Sequence, residues 1–428
     1  MIKQDNLHGR QILIKNFQKQ KASQYGNLVS AFSGDKCLRC GQSKFYTLPT
    51  KVRQCMTCVE LKAVFETDFL LRVPSTNFEK VTGSILTWGG RLTKEQQKIS
   101  QQLVKYLKNK QDSLVHAVTG AGKTEMLFES IAFVLKEGMR VAICCPRVDV
   151  VDELFERLSI AFSKTQIGKY HGNAHPPSFN YQLIICTTHQ LMKFFAAFDL
   201  IVIDEVDAFP FESSAILHYA MTQALKPLGQ KILLTATPSQ ALLTQVKKGK
   251  LNYLLLNKRY HGYRLPVPKC HLLWQRNAIG RFVLDFRLKK ILSQFIVDKK
   301  PILIFVDKIA KLPELKTKLK RFYPDLIIDT VSSVDSERHQ KILRFREGKI
   351  ELLLTTTILE RGVTFENVQV IILDADDAIF KTSSLVQIAG RAGRKIDFPD
   401  GEVHFFYHHY TGAIKKCVSQ IKRMNKWK

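Results

Sequence analysis

The sequence predicts an α/β protein with two tandem parallel sheets flanked by helices, preceded by a small module built around cysteines. Three observations carry this. From about Ser113, short β-branched runs (SLVHAVT, RVAICCP, LIICTT, LIVIDE, KILLTAT) alternate with amphipathic helical stretches, the pattern of a parallel sheet wrapped by helices. A second series begins near residue 300 with PILIFV, LIIDTV, ELLLTTT and VQVIILDA. A chain of 428 residues, 45% of them hydrophobic, is long enough for more than one core. The stretch RYHGYRLPVPKC (259–270) has two prolines, a glycine and weak periodicity, so it marks the boundary between the two series. The expected division is 1–85, 86–262 and 263–428.

The first part differs in kind, because residues 1–60 hold ten Lys and Arg against three Asp and Glu. Cys37-Leu-Arg-Cys40 and Cys55-Met-Thr-Cys58 form two CxxC pairs separated by fourteen residues. Two such knuckles converge as four thiolates in a tetrahedron, the arrangement of a structural Zn²⁺ site. Gly41 suits the tight turn of the first knuckle, while Val59 takes the matching place in the second. A redox CxxC pair is the competing reading. Arg39, Lys44, Tyr46, Lys51 and Arg53 offer cations for phosphates and a ring for stacking, or simply a solvated rim. Cys144, Cys145, Cys186, Cys270 and Cys417 show no ligand spacing.

The formal charge of +27 points to a polyanionic partner, nucleic acid first and an anionic membrane surface second. No signal peptide or spanning segment is evident, which places the expected site of action inside the cell. The tail KKCVSQIKRMNKWK (415–428) reads as a basic amphipathic helix for DNA, anionic lipid or a partner protein.

HAVTGAGKTE (116–125) carries the chemistry of a phosphate-binding loop between a strand-like run and a helical one. Such a loop turns backbone N–H groups toward phosphates at a helix N-terminus. Thr119, Gly120, Ala121, Gly122, Lys123 and Thr124 form the candidate cradle, with Lys123 as a cation for the β and γ phosphates and Thr124 as a Mg²⁺ ligand. Ala117 stands where the commonest pattern has its first glycine. Directly after the apolar run LIVI come Asp204, Glu205 and Asp207. Asp204 suits the metal and Glu205 the activation of water.

From about Leu92 to Arg394 these residues resemble superfamily 2 helicases, whose two RecA-like domains clamp ATP between them. The resemblance assigns LTKEQ (92–96) to adenine recognition through Gln96. It places phosphate-backbone contacts at PRVDVVDEL (146–154) and TTHQL (187–191), which makes Pro146, Arg147, Thr187 and Thr188 nucleic-acid candidates. TAT (235–237) resembles the motif coupling hydrolysis to domain movement, and TTTILERGVTF (355–365) the fifth motif, with Thr355 and Thr356 facing the strand. Within it Glu360 precedes Arg361, and Thr364 stands where aspartate is frequent. QIAGRAGR (387–394) resembles the sixth motif, in which Arg391 and Arg394 would stabilise the charge built during hydrolysis and Gln387 would face the same cleft.

DEVD, TAT and QIAGRAGR look closer to the primosomal DNA helicases than to the RNA-remodelling DEAD-box branch. A tetracysteine module placed ahead of such an ATPase resembles the ComFA family of competence proteins. This resemblance implies an ATP-driven motor at the inner face of the cytoplasmic membrane that draws single-stranded DNA inward during natural transformation. It implies a ComEC channel and a ComFC-type partner, and is compatible with self-association and peripheral membrane contact. A replication-restart or RNA helicase, and a nucleotide-gated DNA-binding scaffold, are the competing functions.

Overall fold

The computed structural model describes residues 6–172, 174, 178–273, 285–363, 365–394, 397 and 399–426. Thr364 and the last two residues of the basic tail lie outside the described residues. The chain forms two compact units, one of residues 1–116 and 123–255, the other of residues 117–122 and 256–428.

The first unit is built on a seven-stranded sheet. Its spatial order is Ile167–Tyr170, Leu183–Thr187, Val141–Cys145, Phe198–Ile203, Leu225–Thr235, Ser113–Ala117 and Asn252–Leu256. Leu183–Thr187, Val141–Cys145 and Ser113–Ala117 are buried at every residue. This explains their mostly apolar runs: a parallel sheet covered on both faces has no polar side to alternate with. Pairing of Leu200 with Val141 and of Ile203 with Cys144 brings the ends of these strands level. The Asp204–Asp207 turn therefore emerges beside Pro146 and Arg147.

A three-stranded antiparallel sheet of Arg10–Ile14, Phe69–Val73 and Asn27–Ser30 belongs to the same unit. The sequence suggests a separate module here, whereas the four cysteines share one apolar core with Phe198 of the larger sheet and with Phe194 and Met221 beside it. Arg140, fully buried, explains part of this union. Its Nη1 donates to His8 O at 3.3 Å, its Nε to Tyr181 O at 2.9 Å, and its backbone N–H to Asp199 at 2.8 Å. Gly9, at φ +70°, passes so close that a Cβ there would lie 2.8 Å from the Ala197 Cβ. The Phe195 N–H then donates to Gly9 O at 3.0 Å.

The second unit carries a six-stranded parallel sheet ordered Lys269–Leu272, Val403–Tyr407, Gln369–Ile372, Ile302–Phe305, Leu352–Thr355 and Ile328–Val331. Leu288, Leu292 and Phe295 of the helix Phe286–Val297 and Leu312, Leu315 and Leu319 of Lys311–Phe322 pack into its core. The tail forms the helix Gly412–Met424, which buries Ile414, Cys417, Ile421 and Met424. Its apolar stripe is thus used within the fold and is not free to enter a bilayer, while Lys415, Lys416, Lys422 and Arg423 remain exposed. Among the described residues no helix is long and apolar enough to cross a membrane.

Candidate active site and metal centre

A cluster of four cysteines lies in the first unit. Cys37, Cys40, Cys55 and Cys58 are all fully buried, and their sulfurs lie within 4.8 Å of one another. Cys40 Sγ and Cys55 Sγ are 3.6 Å apart. Four thiolates held ~2.3 Å from a tetrahedral zinc lie ~3.8 Å apart, so the donor set fits that ion. Mutual hydrogen bonding lowers the Cys37 and Cys55 thiols and raises those of Cys40 and Cys58, so the four titrate as one cluster. Gly41 closes the first knuckle at φ +75°, its N–H donating to Cys37 O at 2.8 Å. A side chain there would also strike the Tyr219 ring, 2.6 Å from the nearest carbon. The Tyr219 hydroxyl donates to Leu38 O at 3.2 Å, so a helix of the larger sheet holds the knuckle directly.

At the C-terminal end of Phe198–Ile203 the chain turns sharply. Glu205 takes φ +55°, uncommon outside glycine, and its N–H donates to Asp204 Oδ1 at 2.9 Å. Burial pushes the Asp204 carboxyl up to about 6, opposed by the nearby Lys123 ammonium and reinforced by Glu205. A cation delivered to this place would return the carboxylate to its charged form. Asp207, also buried, accepts from Thr235 Oγ1 at 2.7 Å and from Thr237 Oγ1. The acidic turn and the TAT motif are therefore one hydrogen-bonded assembly.

His116 ties this assembly to the strand that leads into the phosphate loop. Its Nε2 donates to Ala236 O at 3.1 Å, which fixes Nδ1 as the acceptor for the Tyr253 hydroxyl at 2.7 Å. Neither residue is marked for this role in the sequence, since nothing local links position 116 to 236 or 253. Gln96 has a structural task in the helix that carries it. Thr93 caps the helix Lys94–Lys108, and Gln96 Oε1 accepts from the Thr93 N–H at 2.8 Å in a reciprocal capping box. The sequence signal was present as Thr93-x-x-Gln96.

Residues 117–122 of the loop group with the second unit. Gly120 and Gly122 adopt φ +76° and +70°, which a glycine tolerates without strain. Val118 N–H donates to Leu256 O at 3.0 Å, and Tyr260 N–H to Gly120 O at 3.1 Å. Thr119 lies against Gly390, where an added Cβ would fall 2.6 Å from the Thr119 Cβ. Ala121 is buried. Lys123 and Thr124 open the short helix Lys123–Met126 in the first unit, with the Thr124 side chain buried.

In the second unit Gln387 is buried in Thr382–Ala389. Arg391 is buried and its Nε donates to Glu360 O at 3.2 Å, joining the sixth motif to the fifth. Arg394 Nε donates to Gly390 O at 3.0 Å. The nucleic-acid candidates all sit at strand ends, the usual position of ligand contacts in parallel sheets. Arg147 caps Val148–Ala161. Thr187 ends Leu183–Thr187 with Thr188 directly after it, and Thr355 ends Leu352–Thr355 with Thr356 directly after it. All four threonine side chains are buried, and Thr355 Oγ1 donates to Val331 O at 3.0 Å.

A family model described as type III restriction enzyme, res subunit, matches residues 90–240, and one described as helicase conserved C-terminal domain matches 287–395. A model of the FAM76 protein matches 10–124. The competence protein ComFA of Streptococcus pneumoniae is 39% identical over 396 residues, covering 91% of this chain and 90% of that protein. The chain belongs to the ComFA family. ComFA of Bacillus subtilis is 36% identical, with 91% of this chain and 85% of that protein covered. The chain is accordingly an ATP-dependent enzyme of the helicase type, a DNA-acting motor linked to the competence machinery. Among solved structures, S. cerevisiae Dbp5 bound to RNA and ADP BeF3 superposes with a TM-score of 0.58 at 19% identity, over 78% of this chain and 88% of that one. That similarity shows the fold.

Proposed function

We propose that the chain hydrolyses ATP to move along single-stranded DNA at the inner face of the cytoplasmic membrane, drawing the strand inward during transformation. The observation that carries this reading is the buried Asp204 beside Lys123, on a turn whose Asp207 holds both threonines of TAT. A phosphate-side change at Lys123 or Asp204 is then transmitted to the TAT segment of the same unit. In functional terms this reading divides the chain into a cysteine part, 1–85, a nucleotide part, 86–262, and a C-terminal part, 263–428.

Thr119, Gly120, Ala121, Gly122 and Lys123 would hold the triphosphate, and Thr124 and Asp204 the Mg²⁺. The metal supplies neutralisation of the β and γ oxygens when bound. Glu205 accepts the proton of the attacking water, and Gln387, Arg391 and Arg394 offset the charge on the transferred phosphoryl group. Gln96 reads the adenine. Cys37, Cys40, Cys55 and Cys58 hold a structural Zn²⁺. Pro146, Arg147, Thr187, Thr188, Thr355 and Thr356 line the DNA path, the buried threonines contributing backbone N–H groups. A ComFC-type protein and a ComEC-type channel are the partners this role requires.

ATP turnover measured against single-stranded DNA, duplex DNA and RNA tests the substrate class. Single-stranded DNA is expected to stimulate at least ten-fold more than RNA, with an apparent affinity that falls steeply as salt rises. Equal or stronger stimulation by RNA sinks the proposal.

A further inference from the structure

Arg259 follows the strand Asn252–Leu256 and is only 2% exposed. Its guanidinium donates to two carbonyls of the sixth motif, Gly393 O and, at 3.2 Å, Gly390 O. The stem of the same side chain lies along the phosphate loop: a Cβ on Gly120 would sit 3.7 Å from Arg259 Nε. The next residue, Tyr260, binds the Gly120 carbonyl through its N–H. Arg259 therefore touches the loop and the sixth motif at once, although it belongs to no motif read from the sequence.

Its charge is poorly matched. Among the described residues no carboxylate pairs with it, Nε has no hydrogen-bond partner, and the nearest charged influence is the like-signed Arg394. Burial, with Arg394 second, pulls its pKa down to about 9. A guanidinium out of water is costly unless an anion and full hydrogen bonding offset the lost hydration. Two carbonyl dipoles supply part of this. The remaining requirement is for an anion near Gly120, where a phosphate loop would place one.

We infer that Arg259 is a nucleotide-binding residue, a buried cation that takes its missing anion from the ATP polyphosphate and thereby joins the phosphate loop to the sixth motif. This rests on the reading of 119–124 as the ATP loop. The guanidinium supplies the positive charge that a phosphate oxygen pairs with, and a lysine ammonium at the same place would keep that charge. The occupied state pairs the charge, so the polyphosphate reinforces the same contacts that hold Gly390 and Gly393.

The test is binding of ATP and of inorganic tripolyphosphate to the full chain, with thermal denaturation on the same samples. Arg259→Gln is expected to weaken both ligands ten-fold or more, by the same factor. Arg259→Lys, which keeps the charge, is expected to stay within about three-fold of the parent. If Arg259→Gln fails to fold, Arg259→Lys decides alone: a ten-fold loss overturns the inference. Unchanged affinities for both ligands with a lowered melting temperature show a purely structural pin and also overturn it. Lys123→Ala serves as the reference: if it loses ATP while Arg259→Gln does not, only this inference fails. If neither changes binding, the loop assignment itself fails.

Discussion

Lys123→Ala and Glu205→Gln are each expected to lower steady-state ATP turnover by about two to three orders of magnitude, the usual effect of removing one group that acts on developing charge. The two variants fail for different reasons. Lys123 is the nearby cation that favours the ionised form of the buried Asp204, so its loss removes a phosphate contact and also leaves that carboxyl more protonated. Nucleotide affinity should fall with turnover. Glu205→Gln keeps shape and the backbone bond to Asp204 but loses the proton acceptor. ATP should still bind, and the protein should accumulate in its ATP-bound form. Single-stranded DNA binding in the absence of nucleotide should change by less than about three-fold in both, because neither position is among the expected strand contacts. The check is ATPase rate, ATP affinity and DNA affinity on one preparation of each variant. Turnover within a factor of two of the parent in both removes the site assignment.

The second large effect concerns the cysteines. Cys55→Ser, or prolonged chelation, is expected to lower the melting temperature of the first unit and not merely to loosen its amino-terminal part. Structural zinc contributes roughly 10–16 kcal/mol of apparent binding energy in small zinc-dependent folds. A whole domain is stable by only about 5–15 kcal/mol. Even a loss of about 5 kcal/mol lowers the melting temperature by about 10–20 °C in a unit this size. Because the four sulfurs share a core with Phe194, Phe198 and Met221, and Tyr219 packs on Gly41, that loss reaches the ATPase sheet. Zinc content should fall from one ion per chain, and basal ATPase should fall with heat stability. A zinc-free variant that melts like the parent and hydrolyses ATP normally would mean that the cluster is a detachable accessory.

The strand runs and the positions of the acidic turn, TAT and the threonine pairs along the chain were legible because a parallel sheet buried on both faces leaves long apolar runs and puts chemistry at strand ends. The four cysteines were legible for a similar local reason, their spacing. Contacts between surfaces distant in sequence were not. Arg140 holding His8, Tyr219 on Gly41, His116 between Ala236 and Tyr253, and Arg259 between Gly120 and Gly390 leave no periodic trace. Each joins residues more than thirty positions apart. A glycine in the sixth motif likewise reads as a loop residue until Thr119 is found where its side chain would be. Gln96 carries a second pattern beside the motif, the capping box with Thr93.

Movement along the strand is tested most directly by displacement of streptavidin from single-stranded DNA biotinylated at one end or the other. With MgATP, the parent chain is expected to strip streptavidin from one end much faster than from the other, and Glu205→Gln from neither. DNA-stimulated hydrolysis at full rate, with no displacement from either end, would contradict a motor that travels on DNA.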